Sequence, residues 1–266
     1  MQGIDSIAVH IVPFLLVVTR LTGIFLLTPL LRSTSVPMMF RALLAVMFAL
    51  AIFPFLPPTN PGMAVNLVEL VPLMFAELLI GAAIGLVAGL PLIALEMGGY
   101  VIGYQIGLSM AESFNPELDT NGSVIGQLLF YLGIFLFISV GGLDILFMAL
   151  ADSYHTVPLG TFTATDAPLG VIVGVLSSGF ELAIRIASPI IAVVGLLYVS
   201  MGFIMKTMPQ INIMSIGFAA QIMAGLITMA LLIGTVSVVA GEEIEHTLAV
   251  LVDWVHGFAS AGVLHG

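Results

Sequence analysis

Long apolar runs, broken by short polar and proline-rich segments, set the pattern of the chain. The runs are Ile11–Leu31, Ala42–Leu56, Leu67–Leu95, Val124–Ala151, Leu169–Met205 and Ile213–Ala240, with a weaker one at Leu248–Leu264. A helix crosses the bilayer hydrocarbon with about twenty apolar residues, so most of these runs predict membrane helices and Ala42–Leu56 is short. Met97–Met110 is also short and rich in glycine, which predicts a half-helix or re-entrant piece. The breaks carry turn chemistry: Val36-Pro37 within Arg32–Arg41, Pro57-Pro58-Thr59-Asn60-Pro61-Gly62, then Glu112–Gly122, Asp152–Pro168 and Thr207–Asn212. No strict apolar–polar alternation recurs, which disfavours a β-barrel. The expected fold is all-α and polytopic, without a soluble domain.

Composition sharpens this picture. Of 266 residues, 60% are hydrophobic and only 8% charged, whereas a soluble chain carries about a quarter charged residues to wet its surface. The 28 glycines and 14 prolines suit membrane helices that pack closely. Five Lys plus Arg against fifteen acids give a net charge of −10. So few bases cannot neutralise phosphates, and nucleic acid is not an expected partner. Cysteine is absent, which removes disulfides and thiolate metal sites. The start, MQGIDSIAVHIVPF, has Asp5 where a signal peptide needs positive charge, and predicts a retained first helix. Arg32, Arg41 and Lys206 predict two cytoplasmic loops, with the acidic Asp152–Asp166 loop opposite.

Charges that fall within or beside apolar runs include Arg20, Glu77, Glu96, Asp144, Glu181 and Arg185. Each would cost roughly 2.5–3.5 kcal/mol at the bilayer centre, so they pair, face water or lie outside hydrocarbon. An ion path is one reading. With no cluster of acids on one helix, interhelix or intersubunit staples are the better one. Glu181 and Arg185 have the i, i+4 spacing, acid first, that favours a pair along one helix. Arg20 has no acid within a turn, so its partner belongs to another helix or chain. From Glu77, glycines follow every fourth residue at Gly81, Gly85 and Gly89, and Gly99, Gly103 and Gly107 repeat the spacing. Such small-xxx-small stripes let backbones approach closely, and mark these positions for packing and assembly.

No phosphate loop, H-E-x-x-H or G-x-S-x-G elbow is present. Glu242, Glu245 and His246 could share a helical face and hold a metal; an acidic cap beyond an apolar helix is the favoured alternative. No catalytic residue, metal or cofactor is expected. Most of the fifteen methionines are filler, although those near Glu112–Gly122 could close an irregular gap.

Several segments resemble the FliR family, the flagellar member of the type III export gate, whose injectisome relatives form the SctT group. They are Arg20 with Pro29, Val36-Pro37 and Arg41; Gln105-Ile-Gly-Leu-Ser109 with Asn115-Pro116 and Asn121; Asp152-Ser-Tyr-His155-Thr-Val-Pro158-Leu-Gly160; and Met208-Pro-Gln-Ile-Asn-Ile213 with Gly217-Phe218. Ala219 stands where the pattern has proline. The resemblance implies a FliP-like unit, approximately residues 1–180, fused to a FliQ-like unit, 181–266, in one export-gate domain. It implies assembly with FliP-like and FliQ-like subunits and an FlhB-like protein in a helical cone. Unfolded export substrates would pass through that cone at the bacterial inner membrane, in the flagellar basal body. Much of the chain would then lie above the membrane plane.

The family's channel plug maps onto Leu108–Gly122. Leu108, Met110 and Phe114 are apolar enough to seal, and Asn115-Pro116 begins a turn-rich continuation. The alternative is an ordinary exposed loop. Two functions of other classes compete with the export gate. A secondary transporter would show two similar halves with matching broken helices, and a membrane peptidase would show a catalytic constellation; neither feature is visible. Flagellar and injectisome use are not separable from residues alone.

Overall fold

The computed structural model describes residues 2–30, 37–56, 67–108, 123–161, 169–207 and 213–262. All its regular elements are helices: α1 (Gln2–Leu27), α2 (Met38–Ile52), α3 (Leu67–Gln105), α4 (Val124–Ser139), α5 (Gly142–Thr156), α6 (Leu169–Thr207) and α7 (Ile213–Gly262), with a 3₁₀ turn at Phe53–Phe55. Among the described residues, the helices at Met38–Phe55, Leu70–Gln105, Leu169–Thr207 and Ile216–Gly257 are long and apolar enough to cross a membrane. The bent pair α4–α5 would supply a fifth crossing. The protein is therefore a polytopic helical membrane protein.

Local chemistry sets the ends. Pro37, extended at ψ 142°, stands just before α2, and its carbonyl accepts from Phe40 N at 2.9 Å. Pro54, with no N–H to continue the ladder, lies in the 3₁₀ turn that follows α2. Gly141 has φ +78°, a left-handed conformation that strains other residues, and α4 and α5 meet there at 66°. The apolar run Val124–Ala151 is thus two helices.

Elsewhere helices continue where composition suggests breaks. Met97–Gln105 prolongs α3 instead of forming a separate half-helix. Its glycines are used for packing. A Cβ at Gly98 would press on the Ala183 backbone, at Gly99 on Ile125 and Gly126, and at Gly103 on the Ser123 hydroxyl. Likewise α7 passes unbroken through Glu242–His246, so Leu248–Gly262 belongs to the same 50-residue helix.

The chain forms two compact units. Unit 1 comprises Met1–Leu90, Gly141–Val175 and Glu245–Gly266; unit 2 comprises Pro91–Val140 and Leu176–Ile244. In unit 1, Leu16, Leu21 and Ile24 of α1, Ile84 of α3, Leu150 of α5 and Leu251 of α7 share a core. Phe48 of α2 stacks on Phe147 of α5 with ring centres 4.6 Å apart. In unit 2 the core joins Leu95 and Ile102 of α3, Leu129 of α4, Ile186 and Ile190 of α6, and Met229 of α7.

Candidate functional site: the Arg20 clamp

In unit 1, α1 and α3 touch along a glycine seam. A Cβ on Gly81 would fall on the carbonyl of Arg20, one on Gly85 would meet Ile24 O and the Thr28 hydroxyl, and one on Gly89 the ring of Pro29. From the α1 side, Gly23 lies against the Leu78 carbonyl and Ala82 N. Facing positions rise together on both segments, so α1 and α3 run parallel. Four-residue spacing puts Glu77 one turn before Gly81 on the same face. Its side chain therefore meets Arg20.

Both charges are fully buried. Arg20 Nε donates to Glu77 Oε2 at 2.6 Å. Nη1 donates to the Ser153 carbonyl at 2.9 Å and to its hydroxyl at 3.0 Å, and Nη2 donates to Val157 O at 3.1 Å. The second carboxylate oxygen, Glu77 Oε1, accepts from Gly160 N–H at 2.9 Å. Gly160 has φ +77°, so the turn after α5 bends at a residue with no Cβ to strain. The Tyr154 ring lies 4.4 Å from the guanidinium carbon, and its hydroxyl donates to Val17 O at 3.3 Å. One ion pair thereby holds α1, α3 and the end of α5 together. Buried charge is tolerable only when paired and hydrogen-bonded, and the guanidinium fork is used from Nε, Nη1 and Nη2 alike. Arg20 and Glu77 are thus tied to fixed partners on three segments of unit 1.

A second grip lies within unit 2, at the end of α3. Gln221 of α7 donates its side-chain amide to the Gln105 carbonyl, one of the terminal carbonyls a helix leaves orphaned. Gly107 follows at φ +84°, and Gly225 makes room for Ile106. Gln221→Ala is expected to cost about 1 kcal/mol by removing the side-chain donor from that part-buried carbonyl, and to speed amide exchange around Ile106–Leu108. Unchanged exchange there would show that another contact holds the helix end.

The sequence-selected residues are distributed as follows. Arg20, Glu77, Gly81, Gly85 and Gly89 come together in unit 1; in unit 2 Gly99 and Gly103 line the packing of α3, while Gly107 stands in the left-handed turn just after it. Glu181 and Arg185 do not pair with each other among the described residues, and both are exposed. Their spacing permits a pair, but the two side chains do not approach within ion-pair distance in this structure. Leu108 is partly buried against the unit 2 core. Met110, Phe114, Asn115 and Pro116 lie outside the described residues. Ser153, Tyr154, Gly160 and Gln221 make contacts that the spacing of charges and glycines did not single out. The first three sit in the Asp152–Gly160 segment, where Pro158 two residues before Gly160 already signals a turn.

Residues 11–247 match the family described as bacterial export proteins, family 1. The chain belongs to that family. Proteins named flagellar biosynthetic protein FliR are similar to it along most of their lengths. The Escherichia coli (strain K12) protein is 29% identical over 215 residues, 80% of this chain and 81% of its own. The Aquifex aeolicus protein is 25% identical over 250 residues, 94% and 96% of the two chains. The Bacillus subtilis protein is 24% identical over 238 residues, 88% and 91%. The resemblance to the FliR family drawn from short motifs thus extends over nearly the whole chain, and the Arg20 clamp lies within the matched range.

Proposed function

We propose that this protein is a non-enzymatic subunit of the flagellar type III protein export gate, forming part of the channel that passes unfolded flagellar proteins across the inner membrane. The observation that carries the reading is the family match over residues 11–247 together with relatives named flagellar biosynthetic protein FliR. The apolar helices support a membrane location. The partners proposed are FliP-like and FliQ-like subunits and an FlhB-like protein, with residues 1–180 as the FliP-like part and 181–266 as the FliQ-like part. Deleting the gene from its host should abolish secretion of hook and filament proteins, and restoring it should bring secretion back. Unchanged secretion without the gene would overturn the proposal.

The segment Leu108–Gly122 is proposed as the seal of the closed channel, with Met110 and Phe114 at its centre and Asn115-Pro116 as its turn. Thioether and ring contacts are individually weak and re-formable, which suits a barrier that excludes ions yet parts for a polypeptide. Deleting Ser109–Asn121 should leave the complex assembled but raise ion flux through it. Met110→Ala or Phe114→Ala alone should leak less, because neighbours fill part of the gap. An assembled, ion-tight deletion would remove this segment from the seal.

A further inference from the structure

Within unit 2, α6 has two unlike faces. Leu182, Ala183, Ile186, Ala187, Ile190 and Val194 recur at helical spacing and are buried in the core. The opposite face carries Phe180, Glu181, Ile184, Arg185, Ser188 and Ile191, all exposed. Ile184, between the two charges, is 66% exposed and Phe180 48%. Neither Glu181 nor Arg185 has an ion-pair partner among the described residues, and the Ser188 hydroxyl turns back to the Arg185 carbonyl at 3.0 Å.

No single solvent suits this face. Water would hydrate the charges but leave a ring and two branched aliphatic side chains wet. Lipid would cover those and strand two ions, each at roughly 2.5–3.5 kcal/mol near the bilayer centre. A helix that is apolar except for one charge of each sign satisfies both demands. We propose that this face of α6 docks such a helix from another subunit of the assembly, setting a carboxylate against Arg185 and a basic side chain about one turn away against Glu181. A second copy of this chain does not fit. Copies inserted the same way round have parallel α6 helices, and a two-fold axis between them sets like charge against like. The opposed pairs would give register and partner choice more than raw affinity. The inference rests on the export-gate reading and adds to it a face and the chemistry of its occupant.

The chain has no cysteine, so Ile184→Cys gives a unique probe. In the assembled complex it should resist an aqueous maleimide and, through a short photoreactive linker, capture an apolar helix bearing an acid within reach of Arg185. Arg185→Glu should lower recovery of the other subunits about tenfold, and reversing the captured helix's acid to Arg should restore it. Glu181→Arg should behave likewise toward the partner's base. Capture of lipid alone, full maleimide reactivity in the complex, or undiminished recovery with both reversals would each overturn the proposal. The capture experiment keeps both charges in place, so it decides even if a reversal variant fails to accumulate. If the wild-type chain assembles and secretes while these tests fail, this inference alone falls. If the wild type neither assembles nor supports secretion, the export-gate reading falls with it.

Discussion

Glu77→Ala is expected to destabilise the fold by about 3–5 kcal/mol, because it leaves the guanidinium of Arg20 buried without its counter-ion. Arg20→Leu should have a similar effect, leaving a buried carboxylate with only the Gly160 N–H to satisfy it. Arg20→Lys should not rescue. A single ammonium cannot reproduce a fork that reaches Glu77, Ser153 and Val157 at once. The double variant Arg20→Leu/Glu77→Leu removes both ions and should cost clearly less than the sum of the single changes. The remaining loss would come from the unpaired Val157 carbonyl and Gly160 N–H, at about 1–3 kcal/mol each. Denaturant unfolding of the purified protein in detergent measures all four variants. Strict additivity would show that the two charges do not act as a unit, and full stability of Arg20→Leu would remove the clamp altogether. Under the proposed function, the single variants should also lose swimming through failed assembly.

Gly81→Ala should be nearly as damaging, although it only adds a methyl group. The new Cβ would overlap the Arg20 carbonyl, which is backbone and cannot rotate away. Overpacking costs roughly 1–3 kcal/mol on its own. Here it also pushes α1 off α3 and draws Arg20 from Glu77, so the loss should approach that of Glu77→Ala. Gly234→Ala is the control. A Cβ at that position on α7 would meet no other part of the chain within 4 Å beyond its own helix backbone, and alanine there should be neutral or stabilise by up to about 1 kcal/mol. Equal stability of Gly81→Ala and Gly234→Ala would refute the glycine seam.

Much of this architecture is written in short-range pattern. The apolar runs locate the helices, and the spacing of Glu77, Gly81, Gly85 and Gly89 marks the face of α3 that meets α1. Helix continuity is less legible. The apolar runs break at Glu96 and at Glu242–His246, yet α3 and α7 run on. Glycine packed against a neighbour need not turn a chain, and exposed polar residues need not end a helix. The bend at Gly141 is hidden for the opposite reason: a positive φ in one residue leaves no trace in hydrophobicity. The clamp is legible only in half. Arg20 in an apolar run demands a distant partner, but the choice of Glu77 and of the Ser153 and Val157 carbonyls depends on how three helices pack. Local spacing misleads at Glu181 and Arg185, where geometry permits a pair that the helix surface does not hold.

The spread of the clamp along the chain has a consequence for biosynthesis. Arg20 is made 57 residues before Glu77 and 137 before Val157. At about 5–20 residues per second, Arg20 waits roughly 3–11 s for its counter-ion and 7–27 s for the carbonyl that completes its shell. During that interval the first helix carries an uncompensated cation and cannot settle stably in hydrocarbon. Burial in hydrocarbon would cost it roughly 2.5–3.5 kcal/mol until α3 and then α5 arrive. The order of insertion is thereby tied to the order of translation, and the first helix is locked in place only after the fifth has been made.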